Sequence, residues 1–188
     1  PIALLVLNAL KSAPEIVLNP LALPQTIRWD NFARAWKDAR FSQTFVNSAL
    51  LTGLTILLVC TTGSAAAYAL ARRKIRHWKL VTFYLLGSVT APIQLFLFPL
   101  YFGFAKLGLI NNVFAVALVY TAIYSPFAIM LLHTYFQAVP REIEEAATVD
   151  GASHWQVFTR VMLPIVSPGI VTVALIIGLY SWNEFLIA

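Results

Sequence analysis

Apolar residues run through this chain in long unbroken stretches, and short clusters between them hold nearly all of its charge. No Asp, Glu, Lys or Arg falls between Arg40 and Arg72, Lys79 and Lys106, Lys106 and Arg141, or Arg160 and Glu184. Each gap holds the roughly 20 residues that a helix needs to cross a hydrocarbon core about 30 Å thick. The runs are continuously apolar, without the every-second-residue alternation of barrel strands. The pattern predicts spanning helices at about residues 44–71, 80–104, 112–136 and 164–188. The expected fold class is all-α, a polytopic helical membrane protein.

Residues 1–10 read as the end of a further helix, since Ile2 to Leu7 is apolar but too short to cross alone. No basic region precedes that run, so it does not read as a signal peptide. Both ends of the sequence lie in or beside apolar stretches, and the chain is expected to be a fragment. In residues 11–43, Pro14, Pro20 and Pro24 break any long helix early. From Asp30 onward, Phe32, Trp36 and Ala39 fall at helical spacing. This part reads either as a short amphipathic helix on the membrane surface or as a packed loop.

Composition strengthens the membrane reading. Of 188 residues, 60% are hydrophobic and 11% charged, and the mean hydropathy is +0.77. A soluble domain carries about 25% charged residues, so this chain lacks the charge to dress a water-facing surface. The formal net charge is +5, but the cations sit at the ends of apolar runs, where headgroups lie, and do not mark a nucleic-acid surface. Cys60 is the single cysteine, which excludes an internal disulfide and a cysteine-based zinc site.

Charge also orients the chain. The connector Arg72 to Lys79 holds five basic residues and no acid, which places it in the cytoplasm by the positive-inside rule. Counting helices from there puts residues 11–43 outside, as an external loop, and residues 137–163 back in the cytoplasm. The external stretch holds five basic residues of its own, but three acids and greater length dilute them. Within the third run, Pro92 and Pro99 flank Gln94. Proline in a spanning helix frees a carbonyl and kinks the axis, which protein or a watery cavity must accommodate. Gln94 therefore reads as a candidate for a translocation path or as a structural amide bonded to a neighbouring helix. Asn47, Tyr124, Ser125 and Pro126 carry weaker versions of the same claim.

The loop before the last run is the most informative segment. Pro140 suits a first helical position, and Glu142, Glu144 and Glu145 follow where the helix dipole favours acids. Ile143, Ala146 and Ala147 fall on one face. Gly151 can take the left-handed conformation that closes a helix. Ser153 and Gln156 have the spacing of a capping box for a second helix, on which Trp155, Phe158 and Met162 share a face. Pro164 marks the passage into the last run.

Glu145-Ala146-Ala147, Gly151, Val161 and Leu163-Pro164, at this spacing, resemble the EAA loop of binding-protein-dependent ABC importer permeases. Val161 stands where that family more often has isoleucine. Asn47-Ser48, the Ala65 to Arg72 helix end, Leu107 to Asn111 and Trp182 to Phe185 are similar to the carbohydrate-uptake branch, closest to its maltose-type second permease. The resemblance covers about residues 28–188. It implies the type I permease fold, a six-helix chain of which this fragment lacks most of the first helix and all of the last. It implies transport of a sugar or oligosaccharide across a bacterial inner membrane. Implied partners are a second homologous permease, two ATPase subunits that hold the ATP, and an external solute-binding protein. The implied ATPase-coupling residues are Glu145, Ala146, Ala147, Asp150, Gly151, Phe158, Leu163 and Pro164. Gln94, Asn183 and Glu184 are the candidates for the solute path.

The alternatives are a permease for another small solute, a secondary transporter, or an intramembrane enzyme. Proton-coupled carriers usually need ionisable groups inside the membrane, and the middle spans carry none apart from His133, near the cytoplasmic end of its helix. Glu184 is expected near the outer end of the last helix, within reach of headgroups. His77, His133 and His154 fall in separate segments, and no metal-ligand or nucleophile–base spacing stands out. Asp150 and His154 read as a solvated loop pair. No P-loop occurs, so ATP hydrolysis and any cofactor are expected on other subunits.

Overall fold

The computed structural model describes residues 1–184. These form helices without a strand among the described residues and divide into two compact units, Pro1–Ser48 and Ala49–Ala188.

The first unit contains α1 (Ile2–Ala9), α2 (Ala13–Leu18) and α3 (Asp30–Asp38). Two polar side chains organise the path between them. Lys11, buried to 2% exposure, donates from Nζ to the carbonyls of Asn19 and Pro20 at 3.1 and 3.0 Å. Asn31 donates from Nδ2 to the carbonyls of Ala9 and Lys11, both at 2.9 Å. Ser12 caps α2, its N–H and O–H each 2.9 Å from Glu15 Oε2. The Ser12 N–H is the main reason the Glu15 carboxyl is held below the usual carboxylate range. Of the two readings for residues 30–39, the helix forms. Its aromatic residues Phe32 and Trp36 remain exposed, and it ends at Asp38, one residue before Ala39.

From α4 (Phe41–Ala71) onward the helices are α5 (Trp78–Val89), α6 (Ile93–Leu107), α7 (Val113–Ala138), α8 (Arg141–Val149), α9 (His154–Ile165) and α10 (Ser167–Asn183). By length and composition α4 and α7 can each cross a membrane, and α5–α6 and α9–α10 qualify only as pairs, bent by 89° and 73°. The sequence predicts 80–104 as one helix, and here the structure differs. The chain breaks after Val89, with Pro92 in an extended conformation and a 3₁₀ turn at Ile93–Phe96. Pro92 has no N–H to continue the ladder and disfavours helical geometry in the residue before it. Pro99 does not kink its helix, because it falls in the first α-turn after the 3₁₀ segment, where a missing N–H costs little.

The expected span at 164–188 also shifts. Pro164 lies in α9, the bend comes at Val166, and α10 starts at Ser167. Residues 185–188 of that expected span lie outside the described residues. A π-helical stretch, Val157–Met162, winds the middle of α9.

The core of the second unit lies among α4, α7 and α10, with α9 closing one end. Pairings along α4 and α7 run in the same order. Leu51 packs near Tyr120, the Gly63 position faces Ala128, and the Tyr68 and Phe136 rings are 5.5 Å apart. These two helices are therefore parallel. α10 runs against them. Gly169 abuts Tyr135 and Gly178 abuts Ile56, while Tyr180 lies 6.0 Å from Tyr124. Small residues matter here because in lipid the gain comes from close packing of backbones.

Gly169 is the tightest such point, since a Cβ built there would stand 2.6 Å from Tyr135 Cγ. Gly169→Ala is expected to destabilise the folded protein by about 1–3 kcal/mol, read as thermal unfolding of the full-length protein in detergent. Gly53→Ala, where a Cβ meets nothing within 4 Å, is expected to leave the midpoint unchanged or raised.

Candidate functional site

The end of the second unit where α4 and α7 both terminate carries a dense polar and aromatic junction. Tyr68 and Arg72 stand one turn apart at the close of α4, so they share a face. The Tyr68 hydroxyl donates to Glu144 Oε2 of α8 at 2.7 Å. Arg72 donates from Nε to Glu144 Oε1, an ion pair with side chains 7% and 16% exposed. Its Nη2 reaches the Val139 carbonyl, where α7 ends, at 3.0 Å. One arginine thus joins the ends of α4 and α7 to α8. Beneath it the rings of Tyr68, Phe136 and Phe158 pack on one another at 5.1 to 6.5 Å, bringing α9 into the same junction.

Local sequence explains the shape of the α8–α9 segment. Pro140 sits at the N-cap, one place before the first-turn position expected of it, and Arg141 opens the helix. Gly151 ends it at φ +88°. The Gly151 N–H bonds the Thr148 carbonyl and the Ala152 N–H the Ala147 carbonyl, both at 3.0 Å, which is the Schellman closure. The capping box at Ser153 is present. Its N–H donates to Gln156 Oε1 at 2.8 Å, and its Oγ accepts from the Gln156 N–H at 3.3 Å.

The inward face of α8 is Glu144 and Ala147; Ile143 and Ala146 are exposed instead of sharing that face with Ala147. The Arg72 pairing sets this rotation, because Glu144 must point at α4. Glu145, Ala146 and Asp150 face solvent, and Val149 is 87% exposed. On α9, Phe158 and Met162 are buried, but Trp155 is 70% exposed. The Trp155 ring keeps contact with Phe158 at 5.8 Å, but the residue precedes the π-helical stretch that carries 158 and 162 into the core. Leu163 packs against the core, and Pro164 is exposed. Two clefts flank α8. One of about 380 Å³ is lined by Ala147, Asp150, Gly151, Gln156 and Arg160, the other of about 460 Å³ by Tyr68, Lys74, Glu145, Val149 and His154.

The three solute-path candidates are not gathered in the same way. Gln94 lies exposed in the 3₁₀ turn. Asn183 donates to the Leu179 carbonyl of its own helix at 2.7 Å. Glu184 stands at the end of α10, as expected. Its Oε2 accepts the Tyr120 hydroxyl at 2.6 Å, and Tyr120 is fully buried, so the carboxylate turns into the helix bundle. Tyr120 was invisible as a partner because 64 residues separate the two.

A comparison with protein families decides the broader identity. The model of the "binding-protein-dependent transport system inner membrane component" family matches residues 61–188. The chain belongs to that family. Among relatives of this transport component, the diacetylchitobiose uptake system permease protein NgcG of Streptomyces coelicolor is 35% identical over 187 residues. That match covers 100% of this chain and 62% of the relative. The melibiose/raffinose/stachyose import permease protein MelC of Bacillus subtilis is 31% identical over 163 residues, covering 86% of this chain and 59% of the relative. The chain thus spans about three-fifths of the length of these relatives. In structure, the family member superimposes with a TM-score of 0.80 and 24% identity on a bacterial ABC transporter involved in the import of the acidic polysaccharide alginate. That likeness covers 98% of this chain and 65% of the other, and it establishes a shared fold.

Sequence reasoning found the Gly151 helix end and the Ser153 capping box but missed Tyr68, Arg72 and Glu144 as a unit. A signal existed: a tyrosine and an arginine four apart at the end of a long apolar helix need a polar partner when buried. Arg72→Met is expected to destabilise the family member by about 3 kcal/mol, because it strands the Glu144 carboxylate. The exchange Arg72→Glu with Glu144→Arg is expected to recover part of that loss, as read from thermal unfolding of all three full-length proteins.

Proposed function

We propose that the chain is the membrane-spanning permease subunit of a binding-protein-dependent ABC importer for a sugar or oligosaccharide. The observation that carries the reading is the division of α8 into two faces. Its inner face is locked to α4 through Glu144, while Glu145, Ala146 and Val149 project outward. A short helix held rigidly from behind, with an acid, an alanine and a valine free in front, suits a lever that docks in a partner and passes its motion into the membrane helices.

In this reading the lever comprises Glu145, Ala146, Ala147, Asp150 and Gly151, with Phe158, Leu163 and Pro164 relaying into α9 and α10. The partner is an ATPase subunit, present twice, which holds the ATP; this chain contributes no hydrolytic site. A second homologous permease completes the path, and an external solute-binding protein delivers the solute. The chain crosses a bacterial inner membrane several times, with Arg72–Lys79 and residues 137–163 in the cytoplasm and residues 11–43 outside. Arg72 bonding to both Val139 and Glu144 supports that arrangement, since both proposed cytoplasmic loops lie at one end of the unit. The carbohydrate assignment draws on the oligosaccharide names of the relatives. Gln94, Asn183 and Glu184 remain the proposed solute-path residues, with Glu184 oriented by Tyr120.

Gly151→Val forces a residue with a Cβ into the left-handed region at a cost of about 1–2 kcal/mol. In the reconstituted full-length complex it is expected to lower solute-stimulated ATP turnover by about tenfold, the equivalent of 1.4 kcal/mol. Ala147→Asp, which places a charge at the packed inner edge of α8, is expected to do the same. Normal stimulation in both variants would remove the lever. Cysteines placed at Arg73 and Arg76 are expected to resist an impermeant thiol reagent in intact cells and to react once the membrane is opened.

A further inference from the structure

Three helices of the second unit close with the same pair of backbone bonds, and they treat the left-handed residue differently. α6 and α8 place Gly108 and Gly151 there, at φ +67° and +88°. α4 places Arg73 there, at φ +53°, with the Arg73 N–H on the Leu70 carbonyl at 3.1 Å and the Lys74 N–H on the Ala69 carbonyl at 3.0 Å. A Cβ is disfavoured in this conformation, so an arginine at a closure where α6 and α8 use glycine directs attention to what its side chain does.

That side chain lies over Trp78, its guanidinium carbon 5.0 Å from the ring centroid. Lys79 approaches the same ring at 5.8 Å. Arg76 lies exposed between them in sequence. The neighbouring cations are already engaged. Arg72 is paired with Glu144, and Lys74 sits 4.8 Å from the Tyr68 ring, in the cleft that Glu144 and Glu145 also line. No Asp or Glu occurs in sequence from Ala39 to Arg141, so the connector brings no acid of its own to neutralise Arg73, Arg76 and Lys79.

We propose that Arg73 and Lys79, both over a half-buried Trp78, together with the exposed Arg76 bind the headgroup of an anionic phospholipid. The location follows from the fold. The connector joins α4, which is long and apolar enough to cross a membrane, to α5, the first half of a bent span, so it sits where headgroups are. Tryptophan favours that depth, and clustered arginine and lysine beside a spanning helix attract anionic lipid. Held there, the lipid fixes the α4–α5 corner, one residue from the Arg72 tie to α8. The proposal rests on membrane insertion and is independent of the solute transported.

The test uses the full-length protein purified with its native partners in mild detergent, supplied with phosphatidylglycerol or phosphatidylcholine, and bound lipid is counted by native mass spectrometry. The wild type is expected to retain phosphatidylglycerol in preference. Each of Arg73→Gln, Arg76→Gln and Lys79→Gln is expected to lower that retention about fivefold, and Lys106→Gln, in the last turn of α6, to leave it unchanged. Equal retention of the two lipids, retention undiminished in the triple variant, or an equal loss in Lys106→Gln would overturn the proposal. Displacement of the lipid by millimolar inorganic phosphate would also overturn it, assigning the cations to a free anion. Should the triple variant not assemble, Arg76→Gln alone decides, because that side chain is exposed and unchanged retention would equally sink the idea.

Discussion

The contact between Arg72 and Glu144 is the constraint on which the arrangement of α4, α7 and α8 depends. Two opposite charges have been withdrawn from water at the end of a helix long and apolar enough to cross a membrane. Such a pair gains little net stability over apolar packing, but losing one member is costly. Its effect is on geometry. Arg72 also holds the Val139 carbonyl, and Tyr68 shares the Glu144 carboxylate, so the ends of α4 and α7 and the body of α8 are set relative to one another by groups with strict angular needs. The Tyr68, Phe136 and Phe158 rings then extend that fixed junction into α9.

Much of the helical layout was legible in the sequence because the bilayer imposes a simple rule. Charges stay out of the core, so the gaps between them mark α4 and α7 within a few residues of their observed ends. The rule is blind to direction inside the gap. An apolar run satisfies the membrane whether its axis is straight or turns by 89°, which is why the α5–α6 pair looked like one helix. Pro92 gave the warning, but Pro99 gave the same warning wrongly. Only the position of each proline relative to a helix start separates them. Glu184 shows the complementary limit: a carboxylate at a helix end can turn outward or inward, and the choice was made by Tyr120.

The loop after α7 was more legible because its signals are local. A glycine closing a helix and a serine capping the next act through neighbours three to five residues away, and both formed as the residues dictate. What could not be read was the rotation of α8 about its axis. Alanine and isoleucine spacing suggested one inward face, whereas a single long-range ion pair selected another, and no local pattern encodes a partner 72 residues distant. Trp155 departed for a different reason: helical spacing assumes 3.6 residues per turn, and α9 is wound more widely.

The attachment of α10 to α7 has a consequence for how the molecule can deform. The two helices run antiparallel and are pinned near both ends, at Gly169 against the Tyr135 ring and at Glu184 on the Tyr120 hydroxyl. Fifteen residues of helix separate the pins, a rigid beam of roughly 22 Å at 1.5 Å per residue. A beam riveted twice cannot swing on either rivet. A displacement entering through α9 would therefore be taken up at the corner at Val166, with α7 and α10 tilting together as a single plank.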